Sequence, residues 1–360
     1  MGLQQLELRN VRRFSHYLLQ PDPDAVTVLL SSNGTGKTTI LEAVYALATA
    51  GSFRTSAASD MITTNATLAE VHGVVMNDHR RVGIDLTLAR GARNVTKKML
   101  VNGQRPRSRA DLAAALPITI FTPEGVDMVR HGPDQRRAFL TTLITDVDLT
   151  SGEVVERFER TLRQRNALLR ALRGVVPHGA ERDELAVWTS DFVAASENLV
   201  AKRQRIVKEA APLVQSYYEE LAREGSQVGV RYEESWTGEL GSALTRALGD
   251  DVHRGYTTLG PHRDDIVITL NGRDARRQAS QGEQRCLALA LRLAGHELVI
   301  QHRNVQPLLL LDDIFSELDP RRSDRLLSLL PVGQTLVTTA SPLPSGLAAA
   351  AIVDVTKELT

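Results

Sequence analysis

The sequence predicts an α/β protein: a mostly parallel sheet assembled from both ends of the chain, with a long helical segment inserted between them. Three observations predict it. "SSNGTGKTT", residues 31–39, stands between an apolar run, Val26–Leu30, and a helical-looking stretch, 40–47. Residues 308–311 are four leucines ending on Asp312 and Asp313, the pattern of a strand buried on both faces of a parallel sheet. From about Pro123 to Asp265 the chain reads as amphipathic helix with no good strand.

Taken in order, 6–8, 26–30, 71–75 and 82–88 read as strands. Residues 99–101 followed by Asn102-Gly103 read as a hairpin with a primed turn. Helices are expected over 134–144, 153–172, 183–222 and 240–248. In the second of these, Val154, Phe158, Thr161, Arg165, Leu168 and Leu172 share a mostly apolar face, and Arg157, Arg160, Arg163 and Arg170 lie off it. Those four arginines stand open to two readings, a solvated helix face or a DNA-facing one. Strand character returns at 266–270, Asn271-Gly272 marks a second hairpin turn, and a helix over 284–299 leads to the leucine strand and to another at 334–338. The expected organisation is 1–122 as the N-terminal part of a nucleotide-binding domain, 123–265 as the helical insertion and 266–360 as the C-terminal part of the first domain.

Residues 31–39 follow the phosphate-binding pattern, glycine, four residues, then Gly-Lys-Ser/Thr between strand and helix, except that Ser31 leads in place of glycine. Gly34 and Gly36 permit positive φ, so that backbone N–H groups approach the phosphates. The helix beginning near Lys37 presents free N–H groups and a positive dipole end to the same anion. Lys37 is expected on the β- and γ-phosphates and the Thr38 hydroxyl on Mg²⁺. A leading residue with negative φ needs no glycine, so Ser31 is tolerable if it continues the strand. Ser31, Ser32, Asn33, Gly34, Thr35, Gly36, Lys37, Thr38 and Thr39 are therefore the nucleotide-binding candidates.

Asp312 sits at the carboxyl end of a buried strand, where α/β sheets place ligand groups, and is expected to hold Mg²⁺. Asp313 follows in position to orient and deprotonate an attacking water, and a tight turn, Ser316 to Asp319, comes next. Ser280, Gln281, Gly282, Glu283 and Gln284 open a helix. Alone, a serine there is an N-cap. One helix upstream of the Asp312 strand, it resembles the signature of ABC-type ATPases, which in that class caps the γ-phosphate on another subunit's P-loop. One P-loop and one signature per chain then imply a two-fold dimer with two ATP molecules between subunits.

Composition bounds the rest. A chain of 360 residues is long enough for two domains. With 42% apolar and 24% charged residues its composition is that of an ordinary soluble protein. No apolar run approaches a membrane span, and charge appears by Glu7, so a cytoplasmic location without a membrane partner is expected. The single cysteine, Cys286, excludes a disulfide framework and a Cys-based metal site. The net charge is zero, and the excess of arginine over lysine fits coding bias better than phosphate recognition. Aromatics at 4% argue against a broad stacking surface for single strands.

"NVRRF" near the start is similar to the N-terminal motif of SMC-like ABC ATPases. "SFRT" (52–55), "RQRNALLR" (163–170), "TLGPHRDDI" (258–266) and "SQGEQR" (280–285), in that order, resemble the RecF family of bacterial DNA replication and repair proteins. The resemblance covers nearly the whole chain. It implies an ABC-type, SMC-head-like P-loop ATPase with an inserted helical domain and no long coiled coil. It also implies binding of ATP and Mg²⁺, ATP-driven homodimerisation on double-stranded DNA and single/double-strand junctions, slow hydrolysis, and action with RecR and RecO in loading RecA. By position, Lys37 and Asp313 are the catalytic candidates, Thr38 and Asp312 hold the metal, residues 280–284 act across the dimer, and Ser316 and Asp319 form the D-loop. Arg12 matches an arginine near the nucleotide. Arg54, Arg157, Arg160, Arg163 and Arg170 are the DNA-contact candidates. Two departures stand out, Ser31 and the lack of a histidine after the 334–338 strand. Two alternatives remain: a nucleotide-gated adaptor without significant hydrolysis, and an ABC-type ATPase of another complex, for which Asp rather than Glu at 313 is unusual.

Overall fold

The computed structural model describes residues 2–355 apart from 78–79, 92–93, 176, 224, 341–345 and 348. Strands β1 (Gly2–Val11), β2 (Phe14–Leu19) and β3 (Val26–Leu30) lead into helix α1 (Lys37–Thr49). Next come β4 (Leu68–Asn77), β5 (Arg80–Arg90), β6 (Val95–Val101), α2 (Arg109–Ala115) and β7 (Ile118–Phe121). Helices α3 (Asp127–Arg130), α4 (Pro133–Val147), α5 (Ser151–Ala171) and α6 (Gly179–Ala222) follow. Then come β8 (Val228–Glu233), α7 (Leu240–Arg254), β9 (Asp265–Leu270), β10 (Arg273–Asp274) and α8 (Ala275–Gln278). The chain continues with α9 (Gln281–Arg303), β11 (Leu308–Asp312), α10 (Pro320–Leu329), β12 (Thr335–Thr339) and β13 (Ala351–Asp354). It divides into two compact units, one of residues 1–125, 220–223 and 289–360, the other of 126–219 and 224–288.

The first unit holds two five-stranded sheets. One is parallel, in the order β13-β3-β12-β11-β7, and the other antiparallel, in the order β2-β1-β4-β5-β6. Helix α1 lies in the core they share: Ile40, Leu41, Val44 and Leu47 are fully buried with Leu6 and Leu8 of β1, Ile84 and Leu86 of β5, and Leu310 and Leu336 of the parallel sheet. Burial on every side is why this helix reads apolar all round rather than striped. Each such side chain contributes roughly 1.5–3 kcal/mol, enough to fix α1, and with it the loop at its N-terminus. Strand β11 is buried at all five positions, as its leucines require.

The second unit packs α4 to α7 with a small antiparallel sheet, β10-β9-β8. Strand β8 corrects the expectation that no strand lies between 123 and 265. Its sequence, VGVRYE, alternates only weakly and follows directly on a long helix. Residues 280–284 fall within the second compact unit. Both Asn-Gly turns form with positive φ, at Asn102-Gly103 and Asn271-Gly272. The second joins β9 to β10, whereas the first closes only a single bridge, Val101 to Gln104.

Candidate functional site

Ser31 needs no glycine here: its φ is not positive, and its N–H reaches the Thr339 carbonyl at 3.4 Å, continuing the β3–β12 ladder one step. The chain then turns at Gly34 (φ 80°) and Gly36 (φ 110°), which caps α1. A β-carbon on Gly34 would meet nothing within 4 Å, so the loop is open there. One on Gly36 would lie 2.6 Å from the Phe14 ring, so that position admits only glycine. The Thr35 hydroxyl braces the loop against the Ser32 carbonyl at 2.9 Å and against the Ser31 hydroxyl. Lys37 is buried and curls back over the loop, donating to the carbonyls of Ser31 at 2.5 Å and Ser32 at 2.9 Å. Burial pushes its ammonium pKa down, against the pull of Asp313 and Asp312. Thr39 is buried, with its N–H on the Gly36 carbonyl, while Asn33 is exposed.

Register brings the acidic end of β11 to this loop. Asp312 lies opposite Thr338 of β12, and the hydroxyls of Thr338 and Thr38 both donate to Asp312 Oδ1, at 2.7 Å and 2.9 Å. Burial raises the Asp312 pKa despite those two bonds. The Thr338 hydroxyl in turn accepts the Asp313 N–H at 2.9 Å. Asp313 sits at φ 46°, an uncommon conformation for a non-glycine residue, and its Oδ1 is buried without a hydrogen-bond partner. A buried carboxylate oxygen without a donor is costly; it marks a place where a ligand or water would bind. A 3₁₀ turn, Ile314–Glu317, follows, with the Ser316 hydroxyl on the Asp313 carbonyl at 2.7 Å. Asp319 caps α10 through the Arg322 N–H.

Arg12 is held by the helix that follows the loop. It occupies the β1–β2 turn at φ 50°, and its guanidinium forms a two-pronged pair with Glu42, Nε to Oε2 at 2.5 Å and NH2 to Oε1 at 2.7 Å. Glu42 is fully buried in α1, and a buried charge of this kind must be paired. The Ser52 hydroxyl also donates to it at 2.5 Å, and Arg54 stands 3.5 Å away. The SFRT turn is thus wrapped around Glu42. Arg13 stands beside the loop, its Cδ 2.9 Å from where a β-carbon on Gly36 would lie. Sequence reasoning missed both Glu42 and Arg13. A single acid in an otherwise apolar helix five residues after Lys37 was the available signal.

At the start of α9, Ser280 and Glu283 form a reciprocal cap: the Ser280 N–H donates to Glu283 Oε2 at 2.6 Å and the Glu283 N–H to Ser280 Oγ at 3.3 Å. Ser280 and Gln281 are exposed; Gly282 is half-buried. Gln284 points inward. Its amide donates to the carbonyls of Ala275 and Arg276 and accepts from Arg130 at 3.1 Å, so its side chain is committed within its own unit.

Two stretches that carried the family resemblance interlock. Arg165 is fully buried and donates to Asp251 at 2.8 Å, Thr257 at 2.7 Å and Thr189 at 3.1 Å. Asp251 accepts the N–H and hydroxyl of Thr258, and Asn166 accepts those of Thr257. Of the DNA-contact candidates, Arg163 lies 3.6 Å from Glu159. Arg157, Arg160 and Arg163 share the exposed surface of α5 with Glu153, Glu156 and Glu159. Arg54 belongs to the first unit, beside Glu42. Among the described residues no helix is long and apolar enough to cross a membrane, and no group of three or more His, Cys, Asp or Glu side chains could hold a metal.

A P-loop and an acidic strand end set side by side on a parallel sheet, beside an antiparallel sheet and with a helical insertion in the chain, define the ABC-type ATPase fold in its SMC-head form. The RecF/RecN/SMC N terminal domain family matches residues 2–346. The DNA replication and repair protein RecF of Geobacter sulfurreducens is 35% identical, over 92% of this chain and 90% of its own. RecF of Acidothermus cellulolyticus is 34% identical, over 95% and 94%. The chain belongs to the RecF family. The solved structure of the recombination mediator protein RecF-ATP in the RecFOR pathway superposes with a TM-score of 0.84 at 25% identity, covering 95% of this chain and 92% of that one. The Smc head bound to the C-winged helix domain of ScpA shares the fold, with a TM-score of 0.53 at 16% identity over 95% and 90%.

Proposed function

We propose that this chain is a cytoplasmic ATPase of DNA repair that binds ATP and Mg²⁺, closes into a homodimer on duplex DNA at gaps or stalled forks, hydrolyses slowly and acts with RecR and RecO in loading RecA. The observation that carries the reading is the convergence of Lys37, Thr38 and Asp312 with Asp313, whose Oδ1 is buried and unpartnered. The pathway is inferred from the relatives, one of which was solved with ATP.

Thr38 and Asp312 suit Mg²⁺, a hard cation that takes few protein oxygens and completes its shell with water and phosphate. Bound there, the metal would neutralise charge on the transferring phosphoryl group. Lys37 would exchange the carbonyls of Ser31 and Ser32 for phosphate oxygens, a gain because a charge-assisted bond to an anion is the stronger one. Asp313 would orient water and accept its proton. Ser280 and the free N–H groups at the start of α9 would reach the nucleotide held by a second copy. On this reading 1–122 and 266–360 supply the ATPase domain and 123–265 the insertion.

Sedimentation of the full chain with ATP and Mg²⁺ tests this. The wild type is expected to dimerise with ATP and more strongly with duplex DNA added, while Ser280→Arg stays monomeric but binds nucleotide normally. Losing the second half of a two-sided clamp is expected to weaken DNA binding by roughly 10²-fold. A Ser280→Arg chain that still dimerises with ATP would show that Ser280 is only a helix cap, worth about 1 kcal/mol.

A further inference from the structure

The loop at 260–265 leaves one residue outside the function described so far. Every other member is engaged inward: the Gly260 N–H donates to Ser235 Oγ, the Pro261 carbonyl accepts from Arg203, and His262 Nε2 lies 2.9 Å from the Thr257 carbonyl. Asp264 is buried under Tyr232 and the Ser235 N–H, and Asp265 is gripped by Arg136. Arg263 alone is exposed, with its guanidinium carbon 5.4 Å from the centre of the Tyr256 ring.

Around that ring the unit gathers further cations. Arg254 contacts the Tyr256 hydroxyl at 3.5 Å. A β-carbon on Gly255 would lie 3.3 Å from Arg173 Cδ and 3.6 Å from Arg170 Cα, which places the end of α5 against the same turn. None of the four guanidiniums is within ion-pair distance of a carboxylate among the described residues. Asp250 is the acid whose field reaches Arg254. The hydrogen bond from Arg254, with a further pull from Arg263, lowers the Tyr256 pKa. Arginines at the ends of α5 and α7 also complement helix dipoles. That account covers Arg170 and Arg254, but neither Arg263 nor an aromatic ring left 37% exposed among them.

We propose that Arg170, Arg173, Arg254 and Arg263 hold the phosphates of an unpaired strand while Tyr256 stacks on one of its bases, so that the helical unit recognises the single-stranded side of a junction. This rests on the DNA-binding reading and names the part of the DNA this unit takes. Guanidinium forks suit phosphate, and a ring flanked by cations offers any base a stacking face. Duplex bases are already stacked and leave the ring nothing to take.

Anisotropy titrations of the full chain with ATP and Mg²⁺ compare a plain duplex with the same duplex carrying a single-stranded tail. The wild type is expected to prefer the tailed DNA. Tyr256→Ala is expected to lose about tenfold on it and little on the duplex, and Tyr256→Phe to keep the preference. Arg254→Ala and Arg263→Ala should each lower the salt slope on the tail by about 0.7. Both sites are exposed, so unchanged thermal midpoints separate these losses from misfolding. Equal losses on both DNAs, or no loss for Tyr256→Ala, overturn the proposal while leaving duplex binding standing. If polyglutamate displaces the tailed DNA and its own binding needs the arginines but not Tyr256, the patch is an acidic-peptide site and the proposal fails. A wild type that binds neither DNA removes the underlying reading itself.

Discussion

Two buried polar clusters in this chain differ in one respect. In the helical unit, Arg165, Asp251, Asn166, Thr257 and Thr258 satisfy one another, with no buried side-chain polar atom of theirs left over. In the ATPase unit, Asp313 keeps an orphaned oxygen, Asp312 carries a raised pKa, and Lys37 rests on its own loop's carbonyls. A closed network holds a shape; an open one retains capacity for a ligand. The residues that carried the family resemblance therefore belong to the frame, and the open cluster is the proposed nucleotide site.

The largest test strikes the frame. Arg165→Met strands the Asp251 carboxylate and is expected to lower stability by about 3–5 kcal/mol, read as the unfolding midpoint, with nucleotide affinity of the folded chain unchanged. A change in affinity at unaltered stability would merge the two clusters into one. Next, Asp313→Asn should leave ATP binding and dimerisation intact and cut phosphate release by about 10²–10⁴-fold. Wild-type turnover would pass the role of base to Asp319 or to the second copy, and a wild type with no turnover would make the chain an adaptor.

His296 sharpens the contrast. It too has an orphaned buried nitrogen, Nε2, but it sits on α9 bonded to Thr119 of β7, the edge strand farthest from β13. Burial pulls its pKa from 6.5 down to about 4. The sign follows: the unfolded chain takes up the proton first, so the stability is complete above pH 6.5 and drains away as pH falls towards 4, roughly 3 kcal/mol in all. His296→Gln keeps a partner for Thr119 without titrating, and should flatten that fall; an unchanged acid slope would assign it to another group. Smallest is Lys37→Met. The direct contact is worth about 1.5–3 kcal/mol, a loss of roughly 10- to 150-fold in ATP affinity by titration, while stability holds or rises because a buried ammonium is removed. Wild-type affinity would refute the P-loop assignment.

The sequence displayed the loop, the acidic strand end and the α9 cap because each is local: a few residues at fixed spacing carry the geometry. Strands β7 and β8 escaped since their partners, β11 and β9, come later in the chain; β2 pairs with its neighbour β1, but like them it has only four to six residues, too few to show a period. Arg12 and Gln284 were legible in position but not in direction. Which way a long side chain turns depends on what waits for it, here Glu42 and the carbonyls of Ala275 and Arg276. The α5 arginines stayed ambiguous because Glu153, Glu156 and Glu159 alternate with them, a balance that a solvated helix and a weak phosphate contact share.

Strand β3, which carries the phosphate-binding loop, pairs only with β12 and β13. Its first residue meets Thr335, 309 positions later, and its outer neighbour is β13, Ala351–Asp354. On a ribosome adding 5–20 residues per second, the loop's own strand waits roughly 15–60 s for any partner. The helical unit, wholly upstream of β11, can fold meanwhile. The strand bearing the proposed nucleotide loop is therefore flanked only after the helical unit has been made. A stop codon a few residues before β13 would remove a neighbour of the strand that carries the proposed nucleotide loop rather than trim a tail.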